Sequence, residues 1–330
     1  MHPWSRELEG RLDELTIESA ALAGNPLGDP TTRPLWVYSP PGWAGRGPAV
    51  YVLQGFTGQL DMWRNRVAFR PTFLELLDEA RIDALVVFVD AWTSVGGSQY
   101  VDSNGAGRYH TYICDEVVSF VDERYETNGL RGVAGKSSGG QGAAVTAMLR
   151  PDLFAGYASH AGGGLFEVSI RPYFRVAARR LRDGYGGSVE RFLDELRKGP
   201  APLAHPDDIH VLLQWGFSAA YSADDDGTIR LPYDVATAEV VPELWERWLE
   251  WDYPTLVPRH ADALRALRAI YFDCGSRDEW YVDLTMEWMR RELTSLGVRD
   301  LHVDLFDATH LAVEYRYPLG IRYLVERLTR

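Results

Sequence analysis

The stretch Arg131-Gly132-Val133-Ala134-Gly135-Lys136-Ser137-Ser138-Gly139-Gly140-Gln141-Gly142, followed by Ala143 to Leu149, decides how the chain is read. A short apolar run, a serine between glycines and a segment of helical composition read as strand, sharp turn and helix. Gly135, Ser137 and Gly139 fit the pattern G-x-S-x-G, in which the serine occupies a strained turn. The flanking positions must lack side chains there, because strand and helix pass within contact distance. Such a turn exposes the Ser137 hydroxyl and leaves the Ser138 N–H at a helix N-terminus, where it can stabilise a developing oxyanion. Ser137 is therefore the candidate nucleophile.

Other readings of the same residues compete. Gly135-Lys136-Ser137 also ends a phosphate-binding loop, G-x-x-x-x-G-K-[ST], with Val86 to Asp90 as the acidic strand that would hold magnesium. The leading glycine of that loop belongs at position 130, where the chain has Leu130. An elbow centred on Ser138 would place Lys136 where the first glycine belongs. Gly216-Phe217-Ser218 offers a second G-x-S, but Ala220 stands in place of the closing glycine. A plain glycine-rich packing turn also fits the stretch taken by itself.

The chain has 330 residues, enough for one large α/β domain with an insertion or for two ordinary domains. Its composition, 46% hydrophobic and 25% charged, is that of an ordinary folded protein, with eleven Trp residues as the one excess. The formal net charge of −13 repels phosphate backbones and anionic membranes, so neither nucleic acid nor membrane is expected as a partner. Cys114 and Cys274 lie far apart and lack zinc-ligand spacing, which implies no disulfide framework. Met1 to Gly10 has no apolar signal core and no run reaches membrane-span length; the expected location is cytoplasmic.

Along the chain, Leu15 to Leu22 and Leu35 to Ser39 read as two opening antiparallel strands across a turn-rich connection, Gly24 to Pro30. Val50 to Gln54 is an apolar strand leading into Gly55-Phe56-Thr57-Gly58, a glycine-flanked loop on the edge where open α/β sheets bind ligands. A helix over Pro71 to Arg81 and a strand over Ala84 to Val89 imply a right-handed crossover. Trp92 to Arg108, rich in Gly, Ser and Asn and without periodicity, reads as a surface loop. Tyr112 to Tyr125 reads as an amphipathic helix leading to the elbow, and Phe154 to Ser159 as the strand after it.

From residue 162 to 262 helical segments replace strand alternation, punctuated at Gly184-Tyr185-Gly186-Gly187, Gly199-Pro200 and Asp224-Asp225-Asp226-Gly227. An insertion of roughly a hundred residues is too long for a loop and must carry its own packing. Strands return at Ala269 to Asp273 and Leu301 to Phe306, with a helix from Trp280 to Leu296 between them.

A serine needs a base, and the base an orienting acid. Asp278, in Cys274-Gly275-Ser276-Arg277-Asp278-Glu279, and His310, in Phe306-Asp307-Ala308-Thr309-His310, each follow a strand on the ligand-binding edge. The order Ser, Asp, His is the one α/β hydrolases use. Asp273 and Glu279 are neighbouring substitutes for the acid. His205, His210 and His260 fall in the insertion, His302 lies within a strand and His2 is terminal, while His160 and His110 are candidates for the pocket wall.

The chain resembles the esterase D-like branch of α/β hydrolases, which includes S-formylglutathione hydrolases, enterochelin esterases, feruloyl esterases and mycolyltransferases. The resemblance rests on Val37-Tyr38-Ser39-Pro40-Pro41-Gly42, Leu53-Gln54-Gly55-Phe56-Thr57-Gly58, Tyr100-Val101-Asp102-Ser103 before Tyr109, the acidic Cys114-Asp115-Glu116, the elbow, Asp278 and His310. It covers most of the chain outside the insertion. It implies an α/β-hydrolase fold, a mostly parallel doubly wound sheet of about eight strands, with residues 1–161 and 263–330 as core and 162–262 as a helical lid. It implies a serine esterase working through an acyl-enzyme: Ser137 attacks, His310 serves as base and then acid, Asp278 holds its tautomer, and the Ser138 and Phe56 N–H groups form the oxyanion hole. Neither cofactor nor metal is implied. Gln54 and Lys136 depart from the branch's more usual residues at their places.

Gln54, Thr57, His160 and Trp215 are expected at the substrate pocket. The insertion's Trp215, Trp245, Trp248 and Trp251 suggest an apolar lid, or simply the lid's own core. Arg171, Arg175, Arg179 and Arg182 form one basic helical face, read as a solvated surface or an anion site. Asp224, Asp226 and Asp234 could ligate calcium, but no glutamate completes the loop, which reads as an acidic turn. Acyl transfer to an acceptor other than water uses the same residues. A hydrolase-fold binding protein is the alternative outside enzymology. The oligomeric state is left open, a homodimer being one option.

Overall fold

Val50, Val52, Val86, Val87, Phe88 and their neighbours occupy successive positions with no polar alternation, the pattern of strands covered on both faces. In a computed structural model that describes residues 6–65, 70–199 and 203–329, these strands lie in the middle of an eight-stranded sheet. Its strands are β1 (Arg11–Glu18), β2 (Thr32–Ser39), β3 (Ala49–Leu53), β4 (Leu85–Val89), β5 (Arg131–Lys136), β6 (Gly156–His160), β7 (Ala269–Gly275) and β8 (Leu301–Phe306). The spatial order is β1-β2-β4-β3-β5-β6-β7-β8. β1 pairs antiparallel to β2 and β2 antiparallel to β4, while every other neighbour is parallel. This is the expected α/β-hydrolase fold, mostly parallel and doubly wound. His2 and Pro200 lie outside the described residues.

Alternate residues of each central strand feed two cores. Tyr51, Val87, Val133, Tyr157 and Phe272 pack on one face with helix α2 (Ser138–Leu149). Val50, Val52, Phe88, Ala134 and Tyr271 pack on the other, beneath α1 (Phe73–Ala80) and the C-terminal α9 (Tyr317–Leu328). α1 starts with a capping box: Thr72 Oγ1 accepts from Glu75 N–H while the Glu75 carboxylate accepts from Thr72 N–H. β1 ends at Glu18, earlier than the apolar spacing predicts. The Glu116 carboxylate accepts from Ser19 Oγ and Ala21 N–H, which turns the chain off the sheet there.

Between β6 and β7 the chain builds α3 (Phe174–Tyr185), α4 (Val189–Lys198), α5 (Asp208–Tyr221), α6 (Pro242–Leu249) and α7 (Tyr253–Arg259). α8 (Val282–Ser295) follows β7. The inserted helices pack about Phe174, Leu181, Phe192, Phe217, Trp245 and Trp248. Trp245 and Trp248 therefore form the core of the inserted helices and do not line the cavity beside Ser137. Trp248 is fully buried, with its Nε1 donating to Ser222 Oγ at 2.9 Å.

Trp92 to Arg108 differs from the expected surface loop. Thr93, Val95, Ser98, Gln99, Tyr100, Val101, Gly105 and Ala106 are buried beneath α5 and beside α2. Tyr100 is the wedge: its hydroxyl donates to the Gln54 carbonyl, and a Cβ on Gly142 of α2 would stand 2.3 Å from its ring. The segment lacks periodicity because its groups are satisfied by turns, Thr93 Oγ1 accepting from Gly97 N–H at 3.0 Å and Ser98 Oγ from Tyr100 N–H at 3.2 Å.

Replacing Trp248 by Ala is expected to cost about 3–5 kcal/mol by loss of apolar burial and the cavity left behind. The check is a shift of the urea midpoint, and unchanged stability would refute Trp248 as the keystone of the inserted helices.

Candidate active site

The elbow is built by the absence of two side chains. A Cβ on Gly135 would lie 2.1 Å from the Gly139 carbonyl oxygen, and one on Gly139 would lie 2.3 Å from the Leu53 carbonyl oxygen. Only glycine at both positions lets α2 start hard against the ends of β5 and β3. Between them Ser137 takes φ 57° and ψ −123°, a conformation disfavoured for any residue with a Cβ. It is held by its N–H to the His160 carbonyl at 2.9 Å and by its own carbonyl accepting from Gln141 N–H at 3.0 Å.

The ends of β7 and β8 bring the other two groups to the serine. Gly275 admits the His310 loop, since a Cβ there would meet the Ala308 carbonyl oxygen at 2.4 Å. His310 Nε2 lies 2.9 Å from Ser137 Oγ, and His310 Nδ1 lies 2.7 Å from Asp278 Oδ2. A carboxylate can only accept, so the proton sits on Nδ1 and leaves Nε2 free to accept from the serine hydroxyl. Asp278 Oδ1 accepts from Trp280 N–H at 2.8 Å, and its Oδ2 also faces Cys274 Sγ at 3.3 Å. Burial opposes ionisation of Asp278, but His310, the Trp280 N–H and Cys274 outweigh it and hold the carboxyl below its usual range. Glu279 accepts from His310 N–H at 2.7 Å and fixes the loop.

Asp273, the neighbouring alternative acid, points to the opposite side of the sheet. It accepts from Arg316 Nε at 2.8 Å and sits 2.6 Å from His160 Nδ1.

Ser137 opens into a cavity of about 230 Å³. Phe56, Thr57, Lys136, Ser138 and Gln141 line its floor; Phe166, Ile170, Ile209, Leu213, Phe217 and Trp280 are its apolar walls. The Phe56 and Ser138 N–H groups donate to no acceptor among the described residues, so both are available to an oxygen placed beside Ser137. Thr57 N–H donates to the Gly96 carbonyl at 2.6 Å, and this bond holds the Phe56 loop.

Of the residues expected at the pocket, only Thr57 lines the cavity. Gln54 is buried behind its loop. His160 is fully buried on the α9 side, its ring 4.7 Å from that of Tyr317. Trp215 packs with Val95, Ala106 and Ala219 beside the buried 92–108 segment. His110 sits 3.6 Å from Cys114 Sγ, also outside the cavity. Ser218, the second G-x-S serine, is buried inside α5.

The walls that sequence reasoning missed carried a signal. Ile209, Leu213 and Phe217 recur every four residues and so share one stripe of α5, from which Trp215 is turned away. Arg171 and Arg182 pair with Glu167 and Asp183, and Arg175 and Arg179 are exposed. Asp224 pairs with Arg247 at 3.1 Å, while Asp226 and Asp234 accept backbone N–H groups of their own turns. Among the described residues no cluster of three metal-ligating side chains occurs.

A family model described as "Putative esterase" matches residues 30–310, a span that holds the Phe56 loop, the elbow, Asp278 and His310. The chain belongs to this esterase family. It is an enzyme that hydrolyses carboxylic esters. Solved structures of similar fold include a ferulic acid esterase at 15% identity, covering 98% of this chain and 100% of that one with a TM-score of 0.56. The S-formylglutathione hydrolase of Agrobacterium tumefaciens follows at 14%, 98% of each chain and 0.58. A fluorophosphonate-binding serine hydrolase of Staphylococcus aureus stands at 14%, 97% and 99%, and 0.56. No curated protein sequence matches the chain. Among the described residues of the esterase no helix is long and apolar enough to cross a membrane.

One carboxylate anchors the cavity wall of the esterase. Asp252, at the start of α7, accepts from Phe166 N–H at 2.7 Å and Tyr253 N–H at 2.8 Å. Burial pushes its carboxyl from 3.8 up to about 6, against the pull of those N–H groups. A carboxyl whose folded pKa lies above its unfolded one contributes stability below the unfolded value and loses it as pH rises through the folded value. The esterase is therefore expected to lose about 2–3 kcal/mol on going from pH 4 to pH 7 through this group. Asp252→Asn should flatten that slope in urea unfolding at stepped pH, and an unaltered slope would rule Asp252 out. Gly139→Ala, which forces a Cβ onto the Leu53 carbonyl, is expected to cost about 3 kcal/mol or more in the same measurement.

Proposed function

We propose that the esterase works through an acyl-enzyme on Ser137, with His310 as the proton carrier and Asp278 as its orienting acid. The observation that carries the reading is the unbroken line Ser137 Oγ, His310 Nε2, His310 Nδ1 and Asp278 Oδ2, at 2.9 and 2.7 Å, opening on a cavity with two unengaged N–H groups. Ser137 Oγ attacks the ester carbonyl as His310 Nε2 takes its proton. The negative oxygen of the tetrahedral intermediate is held by Phe56 and Ser138 N–H, the latter strengthened by the N-terminal dipole of α2. His310 returns the proton to the departing alkoxide, leaving an acyl group on Ser137. A water deprotonated by His310 attacks that acyl group, and the acid leaves as Ser137 regains its proton. Asp278 stays ionised throughout and stabilises the imidazolium.

The substrate is a small ester, with its acyl or alcohol group against Phe166, Leu213, Phe217 and Trp280. A fluorophosphonate probe should label wild type at Ser137, and p-nitrophenyl esters should be cleaved. Ser137→Ala should abolish labelling and lower kcat by about three orders of magnitude or more, and Asp278→Asn by about two to four. A wild-type protein that neither labels nor cleaves any ester would overturn the reading. Full labelling of Ser137→Ala, with loss in Ser138→Ala, would move the nucleophile by one residue.

A further inference from the structure

Lys136 stands between the first glycine and the serine of the elbow, and the chemistry proposed for Ser137 makes no use of it. The side chain is half-buried and lines the cavity next to Ser137. Its stem passes Gly55, where even a methyl group would sit 3.9 Å from Lys136 Cδ. Among the described residues its ammonium has no hydrogen-bond or ion-pair partner. The carboxylates in its field are Glu314, Asp278 and Glu279. Asp278 is committed to His310 and the Trp280 N–H, and Glu279 to the His310 N–H. Glu314, in the 3₁₀ turn after His310, makes no ion pair with it among the described residues.

An ammonium partly removed from water, with three donors unused, is a costly thing to hold in place. Burial accordingly pushes Lys136 below its ordinary range. The other walls, Phe166, Ile170, Ile209, Leu213, Phe217 and Trp280, cannot supply a counter-charge. The cavity is thus two-sided, with one cation beside the nucleophile and an apolar wall from the inserted helices opposite. A ligand that suits both sides carries an anion on one side of its ester and an apolar group on the other.

We infer that Lys136 is an anion subsite and that the preferred substrates are monoanionic amphiphilic esters, with a carboxylate a few atoms from the scissile carbonyl. The inference rests on the ester hydrolysis proposed at Ser137. A carboxylate seated on Lys136 regains the interactions the ammonium gave up to water, as a charge-assisted hydrogen bond.

The test compares matched ester pairs. Mono-p-nitrophenyl adipate against p-nitrophenyl hexanoate puts the charge on the acyl side, and 4-butyryloxybenzoate against its methyl ester puts it on the alcohol side. Wild type should favour the charged member of one pair by about tenfold or more in kcat/KM, chiefly through KM. Lys136→Met should bring that ratio near one, and Lys136→Arg should keep part of it. A wild-type ratio near one in both pairs, or a preference that survives Lys136→Met, overturns the inference.

A second arm does not depend on turnover. Ser137→Ala, with Lys136 intact, is titrated calorimetrically with hexanoate and with hexanamide. Because the Phe56 and Ser138 N–H groups can also hold a carboxylate, the titration is repeated with Lys136→Met added: a preference for the carboxylate of about tenfold that is lost there supports the subsite, and equal binding, or a preference that survives Lys136→Met, overturns it. If wild type cleaves neither member of either pair, the acyl-enzyme reading fails, and the calorimetric result decides the subsite separately.

Discussion

The backbone contact between α2 and the ends of β3 and β5 is the constraint on which the rest of the site depends. Carbonyl oxygens of Leu53 and Gly139 lie where the methyl groups of any other residue at 139 and 135 would stand. Because the helix starts that close, Ser137 is driven into its strained conformation and its hydroxyl is thrust out of the sheet edge. The same contact puts the first free N–H of α2 next to the Phe56 loop, which leaves β3 at the same level. Ser137 and the unengaged Phe56 and Ser138 N–H groups are consequently placed by one packing event, and the strain at Ser137 is met by the fully buried strands behind it.

Asp278 and His310 come from the far side of the sheet, on the ends of β7 and β8. There too a missing side chain fixes the distance, because Gly275 lets the 306–310 turn cross directly above it. The order of strands therefore converts three residues distant in sequence into one line of hydrogen bonds. The charge arrangement follows: Asp278 is buried but has its ionised form stabilised by hydrogen bonds, whereas Lys136 is half-buried with no hydrogen bond to its ammonium among the described residues.

Much of this was legible from the chain. The glycines at 135 and 139, the apolar runs of β3 to β7, and Asp278 and His310 just beyond their strands all report local requirements, and local requirements leave local signals. What was not legible depends on long-range satisfaction of polar groups. Trp92 to Arg108 looks like a solvated loop by composition, yet its serines, threonine and glycines turn the backbone inside the protein. His160 ends a strand on the ligand-binding edge, but its preceding neighbours fix which face its ring takes, and the Asp273 carboxylate holds it there. In the insertion the tryptophans drew attention by size, while the residues that face the cavity were smaller and regularly spaced.

Gly216 of α5 carries a further meaning. A Cβ there would sit 2.7 Å from the Val95 carbonyl oxygen and 2.8 Å from the Phe56 ring, so the inserted helix rests its bare backbone on a residue that supplies one of the cavity's unengaged N–H groups. α5 and the Phe56 loop are thus in direct contact. A helix seated this close couples any displacement of α5 to the Phe56 loop. The cavity's lining includes two exposed residues, Thr57 of the Phe56 loop and Leu311 next to His310, and they mark where it meets solvent.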